Sequence, residues 1–233
     1  ELSVCQIVTQ NVSCLHDYSL NVRQVKAAEA AETIIISGAG LEEFMEDILQ
    51  DIYKKQPDLI AFSCYIWNIR HIRELVRELH KVMPNVPIWL GGPEASYDAK
   101  GLLKNYPEVT GVLVGEGEES FYELCKYYDG KIENLSEVKG IVYREAGEIV
   151  EKPFAFLKDL SSLKFAYEDF EDFEHKIIYY ESSRGCPFSC SYCLSSIDKS
   201  VRNRNLEKVF QDLKIFLDAK VKLVKFVDRT FNL

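Results

Sequence analysis

The sequence predicts an α/β protein built on a doubly wound parallel sheet, and three observations carry that reading. Short apolar runs alternate with stretches of helical period through the first half of the chain. The runs are rich in β-branched residues, and one after another they close on serine or glycine. Strands that alternate with helices in this order are joined by crossovers and form a parallel sheet, covered by helices.

Taken in order, Val4 to Thr9 and Ile34 to Ser37 are the first two strands. Leu41, Phe44, Met45, Ile48, Leu49 and Ile52 recur at helical spacing. Leu59-Ile-Ala-Phe-Ser63 is a buried strand after Pro57, and Ile69, Ile72, Leu75, Val76, Leu79 and Val82 mark a helix stopped at Pro84. Ile88-Trp-Leu90 is a strand ending in Gly91-Gly92; Val112-Leu-Val114 is another, ending in Gly115, with a helix from Ser120 to about Tyr128 behind it. Ile141-Val-Tyr-Arg144 and Ile149-Val150 flank Glu145-Ala-Gly-Glu148 as a β-hairpin closing a first domain over 1–150. Residues 151–176 lose periodicity and carry five carboxylates between Glu168 and Glu174, which reads as a solvated linker. A second unit, 177–233, opens on the strand Ile177-Ile-Tyr-Tyr180. It continues through a helix with Leu206, Val209, Phe210, Leu213, Phe216 and Leu217 on one face, capped by Asn205, to a strand from Val221 to Val227.

Composition bounds the function. A hydrophobic fraction of 47% in 233 residues is enough for packed cores, in one large or two modest domains. With 28 basic against 37 acidic residues the net charge is −9, which argues against a broad nucleic-acid surface. No apolar run reaches the roughly 18 residues needed for a bilayer span. The chain opens on Glu1 rather than Met, without a signal-peptide pattern, so N-terminal residues are expected to have been removed.

Seven cysteines are unevenly placed: Cys5, Cys14, Cys64 and Cys125 are scattered, whereas Cys186, Cys190 and Cys193 fall in one run. This low density does not fit a secreted disulfide scaffold, and a reducing cytoplasm is the better setting. Cys186-Pro-Phe-Ser-Cys190-Ser-Tyr-Cys193 has the spacing CxxxCxxC. Three thiolates on one tight loop can face one soft metal centre, and three rather than four leave a coordination position open. Gly185 before them allows close backbone approach, and Arg184 offers positive charge beside an anionic centre. The residues alone leave open a zinc site completed from elsewhere, His175 being the nearest histidine, or three unrelated thiols.

The strand, the CxxxCxxC loop with Tyr192 before its last cysteine, the helix and the next strand closely resemble the radical S-adenosylmethionine enzymes. The resemblance implies that Cys186, Cys190 and Cys193 hold a [4Fe–4S] cluster whose free iron binds S-adenosylmethionine, with Tyr192 against the adenine. It implies cleavage to a 5′-deoxyadenosyl radical and an electron donor such as flavodoxin or ferredoxin. Asp228-Arg-Thr-Phe231 sits where that superfamily reads the substrate amino group, without its GGE run; a strand-end turn is the alternative for Asp228.

In the first domain Ser63-Cys-Tyr65, Gly91-Gly92 and Gly115-Glu-Gly-Glu118 lie at three strand C-termini, the edge where open α/β sheets bind ligands. Glycine there lets a large planar ligand approach the backbone. Their spacing resembles a Rossmann-like cobalamin-binding domain, Ser63-Cys-Tyr65 standing for its SxL and Gly91-Gly92 for its GG. Ser63, Tyr65, Gly91, Gly92, Glu94, Gly115, Glu116 and Gly117 are therefore candidate cofactor contacts, with a solvated turn as the alternative for Glu116. The family's DxHxxG is replaced by Cys14-Leu-His16-Asp-Tyr-Ser19, so His16 is read as a loop residue, not a cobalt ligand.

Phe62-Ser-Cys-Tyr-Ile-Trp-Asn68, Leu90-Gly-Gly-Pro-Glu-Ala-Ser-Tyr97, Gly115-Glu-Gly-Glu118 and Tyr180-Glu-Ser-Ser-Arg-Gly-Cys186 together resemble bacterial cobalamin-binding-domain radical proteins. The implied activity is methylation or rearrangement of a small molecule at an unactivated carbon. Its radical domain is a partial barrel of about six βα units. Only the first βαβ part follows Ile177, so the chain is expected to be truncated and inactive by itself. Two rival functions follow from other uses of the same features. A methylthiotransferase would recruit the scattered cysteines for a second cluster. A non-catalytic corrinoid module would use the cysteine loop structurally.

Overall fold

A computed structural model describes residues 4–6, 33–36, 45–154, 156–167, 170, 173, 176–193, 195 and 198–231. Cys14, His16 and His175 lie outside the described residues. The chain divides into two compact units, Glu1–Phe156 and Leu157–Leu233.

The first unit is a seven-stranded sheet in the order β1 to β7. Its strands are β1 (Val4–Gln6), β2 (Thr33–Ile36), β3 (Leu59–Ser63), β4 (Ile88–Gly91), β5 (Gly111–Leu113), β6 (Ile141–Glu145) and β7 (Glu148–Glu151). β1 to β5 run parallel; β6 and β7 are antiparallel additions. The helices are α1 (Met45–Lys55), α2 (Ile69–Val82), α3 (Pro93–Tyr97), α4 (Ala99–Asn105) and α5 (Gly117–Tyr128). The expected parallel α/β sheet with helices on both faces is present. Among the described strands the order along the sheet is sequential.

Handedness explains the layering. Right-handed crossovers made in one direction along a sheet deliver their helices to one face. Ile52 of α1, Ile72 and Leu75 of α2 and Leu103 of α4 accordingly pack with Ile60, Phe62, Ile88, Leu90 and Val112. The helix α5 leads into an antiparallel strand, where that rule does not act, and its Leu124 and Cys125 cover Leu59, Ala61, Trp89, Leu113 and Tyr143 on the other face. Alternate residues of β3 and β4 thus enter opposite cores, and Leu59–Phe62 and Ile88–Leu90 are apolar without a break because both faces are buried. Trp89 has no exposed surface, and its indole Nε1 donates to Tyr128 Oη at 2.9 Å. Trp89→Ala is expected to lower stability by about 3–5 kcal/mol, read from chemical denaturation.

The second unit is smaller. The strand β8 (Ile178–Tyr180) pairs in parallel with β11 (Val224–Phe226), and α6 (Leu206–Asp218) joins them as the expected strand–helix–strand unit. Asn205 caps α6, its Oδ1 accepting from Glu207 N at 2.8 Å and Lys208 N at 3.3 Å. Of the apolar face expected on α6, Val209 and Phe216 are buried, whereas Leu206, Phe210 and Leu217 are exposed, because two strands cover only one stripe. Asp212 takes part of that stripe instead, 4% exposed and accepting from Tyr180 Oη at 2.8 Å.

The stretch 151–176, expected as a linker, divides between the two units. Phe165, Tyr167, Phe170 and Phe173 pack on Ile178, Tyr180, Val209 and Phe216, so its aromatics supply core where its charges suggested solvent.

Candidate functional site

The carboxyl edge of the first sheet is knitted by backbone. Cys64 N donates to Gly91 O at 2.7 Å, and Glu94 N donates to Cys64 O at 3.2 Å, joining the turns after β3 and β4. Ser96 joins the next pair: its Oγ donates to Leu113 O at 3.3 Å and accepts from Gly115 N at 3.2 Å. Three of the predicted segments, Ser63–Tyr65, Gly91–Glu94 and Gly115–Gly117, are therefore neighbours along one edge.

Two positions there have strict requirements. Gly92 has φ +85°, and a Cβ on it would lie 2.6 Å from Cys64 O. Asn68 has no exposed surface; its Nδ2 donates to Ser63 O at 2.9 Å while its Oδ1 accepts from Tyr65 N at 2.7 Å. Sequence reading passed over Asn68 as a site residue. Its position just before α2 suggests a helix cap, yet its side chain turns back and holds the β3 turn.

What the edge offers a ligand is apolar. The rings of Tyr65 and Trp67 stack, with centroids 4.6 Å apart, and Ile66, Trp67 and Tyr97 are exposed at 77%, 57% and 87%. Glu94, Gly115 and Gly117 are exposed and Glu116 half-buried. Large apolar side chains standing in water beside a glycine-bearing sheet edge fit a broad, flat, mostly apolar group such as a corrin.

In the second unit the cysteines sit on one loop with a closed neck. The strand β9 (Ser183–Arg184) pairs antiparallel with β10 (Arg202–Asn203). Inside the neck, Cys186 N donates to Asp198 O at 3.0 Å, and Cys193 N donates to Cys190 O at 3.1 Å. Asp198 accepts from Ser200 N at 3.1 Å and Ser200 Oγ at 2.6 Å, and pairs with Arg202. Partial burial opposes its charge, but these bonds outweigh that and hold its carboxyl below the ordinary carboxylate range. Gly185 has φ +99°, and a Cβ there would overlap Ser200 O. The glycine expected to admit the sulfurs is thus required by the returning strand.

Cys186 and Cys193 are half-buried and Cys190 is exposed. Among the described residues no three Cys, His, Asp or Glu side chains already close on one point. The donor set itself fits a soft metal centre: three thiols and no histidine or carboxylate within Cys186–Cys193. Tyr192 is 91% exposed. Arg184, expected to bring positive charge to that centre, is engaged by Glu181, its Nη2 lying 2.7 Å from Oε2. Asp228 accepts from Ser182 N at 2.7 Å, Ser183 N at 3.1 Å and the Ser182 hydroxyl.

The scattered cysteines behave differently. Cys64 and Cys125 pack in cores on opposite faces of the sheet. Burial pushes the Cys64 thiol up to about 12 and the Cys125 thiol up to about 11. Lying in separate cores on opposite faces of the sheet, these two are not placed to hold one second cluster together, as a methylthiotransferase would need.

Residues 7–125 match the family model described as the B12 binding domain. The chain is 26% identical over 215 residues to an uncharacterized methyltransferase of Pyrococcus horikoshii, covering 88% of this chain and 47% of the relative. It is 25% identical over 236 residues to the cobalamin-dependent radical SAM methyltransferase TokK of Streptomyces tokunonensis, covering 94% and 33%. In fold it is similar to the cobalamin-dependent S-adenosylmethionine radical enzyme OxsB, solved with aqua-cobalamin and S-adenosylmethionine bound. That likeness has a TM-score of 0.67 at 22% identity and covers 80% of this chain and 27% of OxsB. The chain spans under half the length of the relatives it matches.

Proposed function

From the premise that the chain belongs to the B12 binding domain family over residues 7–125, we propose that it is the cofactor-bearing part of a cobalamin-dependent radical S-adenosylmethionine methyltransferase. The observation that carries the reading is the pairing of two features in one chain. One is a knitted, glycine-bearing sheet edge with exposed Ile66, Trp67 and Tyr97; the other is a closed loop carrying Cys186, Cys190 and Cys193. The named relatives support it, being methyltransferases.

In this reading Ser63, Tyr65, Gly91, Gly92, Glu94, Gly115, Glu116 and Gly117 line the cobalamin site, and Asn68 holds the first of its turns. Cys186, Cys190 and Cys193 hold a [4Fe–4S] cluster, and Tyr192 lies against S-adenosylmethionine. When bound, these groups supply reductive cleavage of S-adenosylmethionine to a 5′-deoxyadenosyl radical and delivery of a methyl group. The protein's own part is position and exclusion of water. The apolar residues at the sheet edge shed water, while the β9–β10 neck limits how far the three thiols can separate. The substrate is a small molecule with an unactivated carbon, the electron donor a flavodoxin or ferredoxin, and the setting an anaerobic cytoplasm. Among the described residues no helix is long and apolar enough to cross a membrane.

Anaerobic reconstitution of the full-length protein with iron, sulfide and hydroxocobalamin, followed by desalting, tests this. About four irons and about one cobalt per chain are expected, with a corrin spectrum. Cobalt without iron would mark a corrinoid module; iron without cobalt would end the methyl-transfer reading.

A further inference from the structure

We infer that Asp228 is a positioning residue that anchors the cysteine loop, rather than a cofactor contact that reads an amino group of S-adenosylmethionine. The inference rests on the cluster assignment above. A carboxylate has about four acceptor positions. Three on Asp228 are taken within its own unit: Oδ1 by Ser182 N at 2.7 Å and Ser183 N at 3.1 Å, Oδ2 by the Ser182 hydroxyl. Two of these donors are backbone amides, which cannot turn away to release the carboxylate without moving the chain.

The segment so held enters the cysteine loop. Ser182 is fixed from a second side, its carbonyl accepting from Arg204 N at 2.8 Å on the returning limb. Ser183 pairs with Asn203, and Arg184 with Arg202, across the neck. One residue further on, Thr230 Oγ1 donates to Gly185 O at 3.4 Å. Val227 N donates to Tyr180 O at 2.9 Å, so the end of β11 tracks the chain from Tyr180 to Gly185. Cys186 follows directly. The Asp228 carboxylate therefore fixes where the first cysteine begins, from a position just past β11 and 46 residues along the chain from Ser182.

An amino-group reader needs its carboxylate turned toward ligand. Here turning it would open the entry to the loop. Outer groups that orient metal ligands typically change metal retention by about 10- to 100-fold when removed, which sets the expected size of the effect.

The test uses the full-length protein carrying Ser182→Ala, Asp228→Asn or Asp228→Ala, with two readouts. One is deuterium uptake by residues 185–201 in cofactor-free protein; the other is the rate of iron loss to a chelator after reconstitution, without S-adenosylmethionine. Ser182→Ala removes one hydroxyl and frees one carboxylate oxygen. It is expected to raise uptake in the loop and speed iron loss by about ten-fold. Asp228→Asn keeps an acceptor for the two amides and falls between wild type and Asp228→Ala. Affinity for S-adenosylmethionine per remaining cluster stays at the wild-type value in Asp228→Asn. The inference is overturned if Ser182→Ala leaves both readouts unchanged, or if Asp228→Asn keeps its iron while losing S-adenosylmethionine affinity. Should Asp228→Ala fail to fold, Ser182→Ala decides alone. Wild-type protein without iron would defeat the cluster assignment, while loop uptake would still report on the anchor.

Discussion

Replacing Cys190 with alanine is expected to abolish cluster binding while leaving the fold intact. The side chain is exposed, so alanine removes no buried surface and leaves no cavity. What it removes is one of three thiolates, and two cannot hold a cubane that needs one cysteine at each of three irons. Iron in reconstituted full-length protein should fall from about four per chain to below about one, with loss of the visible charge-transfer absorption. Cys186→Ala and Cys193→Ala should do the same. Cys64→Ala makes the contrast, since that thiol is buried in the core of the first unit and protonated. It should cost about 1–2 kcal/mol of stability, and iron should be unchanged. Retention of iron by Cys190→Ala would remove the trio from the assignment; zinc in place of iron would return the loop to a structural site.

How much of this could be read in the sequence follows from the range over which each feature is encoded. Strands with both faces buried announce themselves locally, and Leu59–Ser63 and Ile88–Gly91 lie where their apolar runs placed them. The Asn205 cap and the hairpin through Ala146 and Gly147 are also local, a matter of a few adjacent residues. Strand order is not local. It depends on which edge each crossover takes, which periodicity does not record, so the sequential order of β1 to β5 is seen in the fold alone. The exposed half of the α6 stripe has a similar cause, because hydrophobic spacing marks a face without saying what covers it. At the candidate site the residue types were legible and the partners were not. Arg184 read as positive charge for the metal centre, and only the fold shows that Glu181 engages it. Asn68 was passed over, since its two bonds fold back within its own turn, and Asp228 read as a ligand-facing or turn residue, because the bonds that fix it reach back to Ser182 and Ser183.

Gly92→Ala is expected to destabilise the first unit and to weaken cobalamin retention together. The position has φ +85°, which an alanine adopts only with strain of about 1–3 kcal/mol. Its Cβ would also lie 2.6 Å from Cys64 O and 3.0 Å from Cys64 N, closer than carbon contacts allow. Those two atoms are the ones that bond Glu94 N and Gly91 O. Relieving the overlap must therefore pull apart the turns after β3 and β4, and the edge that Ser63, Tyr65 and Gly91 share would open. Corrin retained after desalting should fall by about ten-fold or more, with a lower thermal midpoint. Gly117 separates the two ways glycine can serve such an edge. It begins α5, and a Cβ there would meet nothing within 4 Å. Gly117→Ala should leave stability at or slightly above wild type, since alanine is the better helix former. Any loss of corrin in that variant would then reflect close approach of the ligand to the backbone, whereas loss in Gly92→Ala reflects the scaffold beneath it. Corrin retention at the wild-type level in both variants would remove this edge from the proposed cobalamin site.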